Sequence, residues 1–257
     1  MTTAGSGKGS GARWGTRSGT QADVGPFQGD LFAQGQPAVN ASAAVEHLEL
    51  DGRSWIEVAT RWLQGGDELL EHLAAELRWT RAERPMYGQM VEEPRLGAHL
   101  RLRSVGVPTV IDEMASALGD RYRCRFNSVW VNYYRGGRDS VAWHSDRIGI
   151  DPANAVVAIV SLGGPRRFLL RGRAGRHADA AHTGEAVARA ARERSEQERT
   201  LRPVGGGRSR SFTLASGDLL VMGGSCQQDW EHSIPKVASA PPRMSVTFRR
   251  TGAAKGR

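Results

Sequence analysis

The stretch NSVWVNYYRGGRDSVAWHSD, residues 127–146, decides how the second half of this chain folds. Its first part, NSVWVNYY, alternates in the way that is typical of a β-strand, and the turn signal Arg-Gly-Gly follows it. Because residues i and i+2 of a strand point the same way, we expect Asn132 and Tyr134 to share one face. For the same reason His144 and Asp146 are expected to project together from the next strand edge. The stretch therefore predicts two strands that each carry a polar pair.

The same pattern of short strand-like runs and turns continues toward the C-terminus. Short β-rich runs are separated by turn signals such as Leu-Gly-Gly-Pro and Ser-Gly-Asp, and the runs are AVVAIVSL, RRFLLR, SFTL, DLLVM and RMSVTFRR. Many short strands joined by turns indicate a sheet sandwich or a barrel-like pair of sheets.

The last run, RMSVTFRR, has one apolar and one polar face at period two. The apolar face holds Met244, Val246 and Phe248, and the polar face holds Arg243, Ser245, Thr247 and Arg249. We expect the apolar face to pack outward against another layer, which would turn two arginines into the sandwich. A buried arginine without a partner is very costly, so an anion is expected to meet these side chains. The planar guanidinium suits a carboxylate or a phosphate.

Residues before 127 are expected to be helical or irregular. We interpret residues 1–42, rich in Gly, Ser, Ala and Thr, as a disordered tail that precedes a domain over 43–252. The segment Trp55–Leu77 has apolar residues at helical spacing, and we expect Gly65-Gly66 to break it into two helices, with Asp67 as an N-cap. These would be the N-terminal flanking helices of the fold.

Two further segments complete this half of the chain. Residues 81–103 are polar and contain two prolines, so they indicate an exposed loop or hairpin. Val107–Leu118 has helical spacing and begins with Pro108, a residue favoured at helix starts. The predicted fold class is therefore α+β.

Composition limits the classes of protein. The net charge of +8 suits a polyanionic partner such as nucleic acid, or it only keeps the protein in solution. The two cysteines, Cys124 and Cys226, form no CxxC motif, so a zinc knuckle or a disulfide framework is not expected. No apolar run approaches the roughly 20 residues of a membrane span, and no secretory signal is present. We expect a cytoplasmic monomer without a membrane partner.

A long Ala- and Arg-rich segment, residues 173–210, interrupts the strand-rich half. Its middle is compatible with a solvated helix, and it would serve either as a flexible surface insertion or as a contact for nucleic acid.

The histidine–acid pairs point to a metal. The pattern His-x-acid occurs three times, at His47, His144 and His177, but only His144 and Asp146 sit at a predicted strand edge. The far end of the β-region adds His232 in DWEHSIPK. Two histidines and one carboxylate make the triad that non-haem Fe(II) prefers, and an anionic co-substrate held by Arg243 would complete such a site.

Together these motifs resemble the AlkB family of Fe(II)- and 2-oxoglutarate-dependent dioxygenases. The resemblance rests on NSVWVNYYRGGRDSVAWHSD, SLGGPRRFLLR, GDLLVMGGSCQQDWEHSIPK and PRMSVTFRR, with a weaker echo at MYGQMVEEPR. It implies a double-stranded β-helix, or jelly roll, with Fe(II) on His144, Asp146 and His232. It also implies that 2-oxoglutarate is held by five residues: Asn132, Tyr134, Arg243, Thr247 and Arg249. In the family pattern Arg243 pairs with the distal carboxylate, and Arg249 lies near the metal-bound end.

The resemblance implies oxidative removal of methyl groups from ring nitrogens of bases in alkylated DNA, with formaldehyde, succinate and carbon dioxide as products. A base in a duplex would have to flip out to reach the iron. Two alternatives stay open: the same chemistry on RNA, a tRNA base or a protein side chain, or a metal-free jelly roll that only binds. An intact triad speaks against the last.

Three residues are candidates for contact with the base. Tyr87 aligns with an aromatic wedge of duplex-acting relatives, or it only covers its loop. Relatives often carry acidic residues directly after the His-x-Asp motif, where this chain has Arg147. Asp151 or Glu93 would supply negative charge instead if their loops fold back toward the pocket.

We predict that Arg147→Asp raises activity on cationic lesions, such as 1-methyladenine, relative to neutral ones, such as 1-methylguanine. At a separation of about 6 Å and an effective dielectric near 20, Coulomb's law gives roughly 2–3 kcal/mol, which solvent exposure would reduce. Competition between the two lesions in one reaction, at two salt concentrations, measures the effect. An unchanged ratio would exclude Arg147 from the choice of base.

Overall fold

Two antiparallel β-sheets dominate the computed structural model of this chain. The structure describes residues 35–86, 88–146, 148, 152–173, 201–202 and 209–251. In the N-terminal half the strands are β1 (Ala38–Val39), β2 (Glu46–Glu49), β3 (Ser54–Ala59), β4 (Leu63–Gln64), β5 (Glu83–Met86), β6 (Gln89–Glu92), β7 (Leu96–Leu100) and β8 (Ser128–Tyr134). The remaining strands are β9 (Val141–His144), β10 (Val157–Gly163), β11 (Arg166–Gly172), β12 (Leu201–Arg202), β13 (Ser209–Leu214), β14 (Leu219–Gly224), β15 (Trp230–Ile234) and β16 (Arg243–Arg249). The helices are α1 (Gly66–Glu76), α2 (Thr109–Tyr122) and the short α3 (Cys226–Asp229), with a 3-10 turn at Pro152–Asn154.

The strand order confirms the predicted jelly roll. The larger sheet has the order β2-β3-β14-β10-β16-β8-β7, and the smaller sheet has the order β12-β13-β11-β15-β9. From β8 onward the described strands change sheet six times: between β8 and β9, β9 and β10, β10 and β11, β13 and β14, β14 and β15, and β15 and β16. Two strand pairs, β1 with β4 and β5 with β6, lie outside the two main sheets.

The larger sheet is buried on both faces. Its outer face packs against helices α1 and α2 and includes Met244, Val246 and Phe248, so the predicted outward packing of this apolar set is confirmed. Its inner face meets the smaller sheet in a second cluster, which includes Ile159 from β10 and Phe168 from β11. The larger sheet therefore lies between the site and the helices.

The first of the two predicted N-terminal helices is wrong. Residues 54–59 form β3, which pairs with β2 on one side and β14 on the other. Ile56 and Val58 are buried and alternate with the partly exposed Trp55 and Glu57. β-branched residues favour strands, and burial on one face has the period of two that sheet pairing requires. A short segment that contains Trp, Ile and Val fits the helical period as well as the strand period, and pairing with β14 decides between the two.

The second predicted helix exists as α1, but Asp67 is not its N-cap. Gly65 is the N-cap, in the left-handed conformation with φ 65°, and its close approach to the backbone of residues 35–37 leaves no room for a Cβ atom. Asp67 lies in the first turn, where its Oδ1 accepts a hydrogen bond of 2.7 Å from Ser216 Oγ. A carboxylate at this place still interacts favourably with the helix dipole.

Residues 81–103 contain the predicted hairpin, formed by β5 and β6. They also contain β7, which was not predicted and which pairs with β8 at the edge of the larger sheet. Helix α2 confirms the predicted helix, which begins at Thr109 directly after Pro108.

The N-terminal tail and the 173–210 insertion both contain strand residues within their predicted bounds. Ala38 and Val39, placed in the disordered tail, pair with Gln64 and Leu63. At the end of the 173–210 insertion, Leu201 and Arg202 pair with β13, which itself begins at Ser209. The predicted helix of the insertion lies outside the described residues. Within the described ranges no helix has the length and apolar character needed to cross a bilayer.

The connection from β8 to β9 is held by one buried side chain. Arg166, only 3% exposed, donates hydrogen bonds to the carbonyl oxygens of Gly136 (3.1 Å), Asp139 (3.0 Å) and Pro235 (2.6 Å). The guanidinium thus joins the crossing between the sheets to the end of β15. Both elements lead directly into the site.

We predict that Arg166→Met lowers the free energy of unfolding by about 2–4 kcal/mol, because buried carbonyl groups lose a charged donor. Urea denaturation measures this change. The control is Arg167→Met, because the neighbouring Arg167 is exposed and, among the described residues, its side chain bonds only Ser211 Oγ, at 3.3 Å. Equal loss of stability in both variants would contradict the assigned role of Arg166.

Candidate metal centre and co-substrate cavity

A cavity of about 500 Å³ lies between the two sheets. The larger sheet contributes residues of β7, β8, β10 and β16 to its wall, and the smaller sheet contributes residues of β9, β11 and β15. The segment that contains the β5–β6 hairpin adds Thr80, Ala82, Glu93 and Arg95. Polar groups from separate parts of the sequence therefore meet in one enclosed space.

The structure brings the three predicted metal ligands together in this cavity. Strand β9 pairs with β15 so that His144 stands opposite His232, and their ring centroids lie 4.2 Å apart. Asp146 follows two residues after the end of β9, and its Oδ2 lies 3.7 Å from His232 Nε2. One ligand atom of each residue lies within 4.8 Å of the others.

Neighbouring groups fix the orientation of each ligand. His144 Nδ1 lies 2.9 Å from the Ala142 carbonyl oxygen, so Nδ1 carries the proton and Nε2 keeps its lone pair. The Asp146 backbone N–H donates to Gln227 Oε1 at 2.8 Å. Phe168 stacks on His232 with a centroid distance of 5.2 Å and an interplanar angle of 15°.

Electrostatics favour the forms of these side chains that bind metals. Burial lowers the pKa of His232 to about 3, so its imidazole is neutral at pH 7. Burial acts to raise the pKa of Asp146, but nearby positive charge, chiefly that of the Arg249 guanidinium, outweighs it and holds this pKa below its usual value. Asp146 Oδ2 is buried and has no hydrogen-bond partner within the described structure. A divalent cation would satisfy this oxygen, and the donor set fits Fe(II).

A second buried charge fits the co-substrate. Arg243 is fully buried, and its Nε donates to Ser161 Oγ at 3.1 Å. Both of its terminal nitrogens lack hydrogen-bond partners within the described part of the chain. Burial lowers the pKa of Arg243 to about 10, which still leaves it charged at pH 7. Two unsatisfied donors on one guanidinium fork match a carboxylate.

The other predicted co-substrate residues surround the same space. Asn132, Tyr134, Thr247 and Arg249 line the cavity, and Arg243 lies beside it, 5.5 Å from the ring centroid of Tyr134. Arg249 Nε is 3.3 Å from Asp146 Oδ1, which puts this arginine at the metal end, as the family pattern implies. β16 pairs with β8 so that Arg243 faces Tyr134 and Ser245 faces Asn132.

The three predicted substrate residues, Tyr87, Arg147 and Asp151, lie outside the described residues, as does the His177–Asp179 pair. Glu93, the fourth residue considered for the base, does line the cavity. The His47–Glu49 pair lies on the edge strand β2 and is not among the residues that line the cavity. Its two side chains are 2.9 Å apart and largely exposed, which agrees with an accidental pattern.

Several cavity residues were missed from the sequence, namely Arg95, Trp130 and Phe168. Trp130 precedes Asn132 by two positions, so the period-two rule that selected Asn132 could also have selected Trp130. Arg95 follows a hairpin, and no local signal predicts that it reaches a strand 37 residues away.

Comparisons with known proteins agree with this geometry. The family model described as "2OG-Fe(II) oxygenase superfamily" matches residues 67–249. The chain is 39% identical over 127 residues to DNA oxidative demethylase ALKBH2 of Arabidopsis thaliana. These aligned residues cover 49% of this chain and 38% of that protein. It is 28% identical over 199 residues to alpha-ketoglutarate-dependent dioxygenase alkB homolog 3 of Mus musculus, which covers 73% of this chain and 62% of that protein. The chain thus spans less than two thirds of these curated relatives. The solved structure of OsALKBH1 matches with a TM-score of 0.47 at 14% identity, over 80% of this chain and 100% of that one.

We predict that His144→Ala, Asp146→Ala and His232→Ala each abolish metal binding and turnover, because each removes one of three converging donors. The fold should stay nearly intact, since these side chains line a cavity rather than the apolar core. Calorimetric titration with Mn(II), together with circular dichroism, checks both parts. His47→Ala and His177→Ala are matched controls, and loss of binding in either, with retention in His144→Ala, would overturn the assignment.

We also predict that Arg243→Ala raises the 2-oxoglutarate concentration needed for half-maximal turnover by an order of magnitude or more. A charge-assisted pair contributes about 1.5–3 kcal/mol, and its partner would be lost. Arg171→Ala is the control, because Arg171 is exposed and pairs with Glu231 outside the cavity lining. An unchanged 2-oxoglutarate requirement in Arg243→Ala would mean that another residue binds the co-substrate.

Proposed function

Since the chain belongs to the 2OG-Fe(II) oxygenase superfamily and, within it, to the AlkB family, we propose that it oxidatively demethylates N-alkylated bases in DNA with Fe(II), O₂ and 2-oxoglutarate. The observation that carries this proposal is the meeting of a His144–Asp146–His232 triad with the unsatisfied fork of Arg243 beside one cavity. A metal triad and an unsatisfied arginine fork beside one cavity are the two binding sites that a keto-acid-dependent oxygenase needs.

The protein's own residues would bind the metal and the co-substrate, orient them, and exclude water from the cavity. His144, Asp146 and His232 would hold the iron, and Arg243 would hold the distal carboxylate of 2-oxoglutarate. When bound, iron with O₂ and 2-oxoglutarate supplies oxidation of an N-methyl carbon, and the products are succinate, carbon dioxide, formaldehyde and the unmethylated base. Phe168, Ile159 and Val141 line the cavity with apolar surface and keep water away from the reacting carbon.

Two observations support the proposed substrate: the first favours a nucleic acid, and the second favours DNA in particular. The net charge of +8 favours a polyanion. The relatives from Arabidopsis thaliana and Mus musculus that are called ALKBH2 carry the name DNA oxidative demethylase.

The decisive experiment is anaerobic reconstitution with Fe(II), followed by measurement of formaldehyde and succinate on a panel of methylated DNA and RNA oligonucleotides. We expect equal amounts of both products, with faster turnover on DNA. Asp146→Ala and omission of 2-oxoglutarate serve as blanks.

Each other outcome favours one alternative. Faster turnover on RNA would replace DNA by RNA as the substrate. Succinate without formaldehyde on every oligonucleotide would indicate a substrate that is not a methylated base. Failure of the intact protein to bind Mn(II) and 2-oxoglutarate would leave a jelly roll that only binds.

A further inference from the structure

We propose that Arg95 is a positioning residue which, together with Trp130, locks the side-chain amide of Asn132 so that its NH₂ group faces the co-substrate. This inference rests on the proposed function, because it assumes that 2-oxoglutarate occupies the cavity. It adds a role for the hairpin arm, defined as residues 80–95, in the binding of the co-substrate.

The amide of Asn132 is held from one side by two donors. Arg95 Nε–H donates to Asn132 Oδ1 at 3.0 Å, and Trp130 Nε1–H donates to the same oxygen at 3.2 Å. All three residues line the cavity.

The chemistry of these donors fixes which end of the amide they meet. A guanidinium and an indole N–H can donate hydrogen bonds but cannot accept them. The amide oxygen must therefore face Arg95 and Trp130, because an inverted amide would oppose N–H groups to N–H groups. The amide nitrogen then points away from them, and in the described part of the chain it makes no hydrogen bond. It is left as a donor for an acceptor within the cavity, as a carboxylate or keto oxygen would be.

Both donors are themselves fixed. Arg95 Nη2 forms an ion pair of 2.8 Å with Glu93 Oε2, and these side chains are only 15% and 16% exposed. The indole of Trp130 lies against Gly97 of β7, where a Cβ atom would meet the ring at 2.7 Å. Gly97 pairs directly with Asn132, so the absence of a side chain there lets the indole lie flat and reach the amide oxygen.

The consequence is a link between two parts of the site. Arg95 belongs to the hairpin arm, whereas Asn132 belongs to the rigid larger sheet. Without Arg95 the amide can rotate between two orientations, of which only one donates to the co-substrate. Loss of Arg95 should therefore weaken the binding of 2-oxoglutarate without removing a direct contact.

The test measures 2-oxoglutarate binding by calorimetry on the Mn(II)-loaded protein, without turnover. Arg95→Met should weaken binding about tenfold, which corresponds to about 1.4 kcal/mol. Trp130→Phe, which keeps an aromatic ring but removes the N–H, should weaken binding about threefold, as expected for one neutral hydrogen bond. In turnover, the KM for 2-oxoglutarate should rise while kcat at saturating co-substrate stays near the wild-type value.

Arg81→Met is the matched control for Arg95→Met. Arg81 lies in the same arm and pairs with Glu92 at 2.6 Å. It is absent from the cavity lining and has no contact with Asn132. Its substitution should leave the affinity for 2-oxoglutarate unchanged.

Two further variants test the orientation itself. Asn132→Asp would aim a carboxylate oxygen at the co-substrate anion and should weaken binding more than Asn132→Ala does. In the Asn132→Ala background, Arg95→Met should cause no further loss, because the two residues act through one amide.

Three results would overturn the inference: wild-type affinity in Arg95→Met, additive losses with Asn132→Ala, or Asn132→Asp that binds as well as Asn132→Ala. Failure of the wild-type protein to bind 2-oxoglutarate at all would instead overturn the proposed function. The two failures are thereby distinguishable.

Discussion

Burial of charge between two β-sheets is the constraint on which the rest of the structure depends. The polar face of β16 points into the sandwich, where Arg243 is fully buried and its two terminal nitrogens find no hydrogen-bond partner among the described residues. Within the same residues, the buried Oδ2 of Asp146 also accepts no hydrogen bond. Unsatisfied buried charges cost several kcal/mol each, and a protein retains them where a ligand completes them.

Support for these charges comes from neutral groups that are themselves well anchored. Gln227 holds the backbone of Asp146, the Ala142 carbonyl group fixes the tautomer of His144, and Phe168 covers His232. The connection from β8, which carries Asn132, to β9, which carries His144, is held in place by hydrogen bonds from Arg166. The metal ligands therefore sit on strands and on a braced connection, which restricts their movement before any ligand binds.

The hairpin arm has a different physical character. Met90 is 60% exposed and Val91 is 42% exposed, so β6 presents apolar surface to solvent. The end of the arm at Glu93 and Arg95, in contrast, is bound to the larger sheet through Asn132.

The jelly roll and the co-substrate group were implied by the resemblance to the AlkB family, whereas the residues themselves predicted a pair of sheets, helix α2 and the histidine–aspartate triad. These were predictable because strand periodicity assigns side chains to faces, and because a metal triad and an arginine fork need particular residue types. The sequence did not determine the secondary structure of residues 54–59, since their apolar spacing fits a helix and a strand equally well. Pairing with β14 settled that choice, and such pairing joins positions more than 150 residues apart.

Only the tertiary structure decided which groups touch across the cavity. The pairing of β15 with β9 sets His232 against His144, and the pairing of β7 with β8 sets Gly97 beside Asn132 and gives Trp130 its place. Arg95 lies in a segment whose own pattern indicates an exposed hairpin, yet its guanidinium is largely buried on Asn132. Contacts of this kind depend on sheet register, which follows from the packing of both sheets together and leaves no local trace in the sequence.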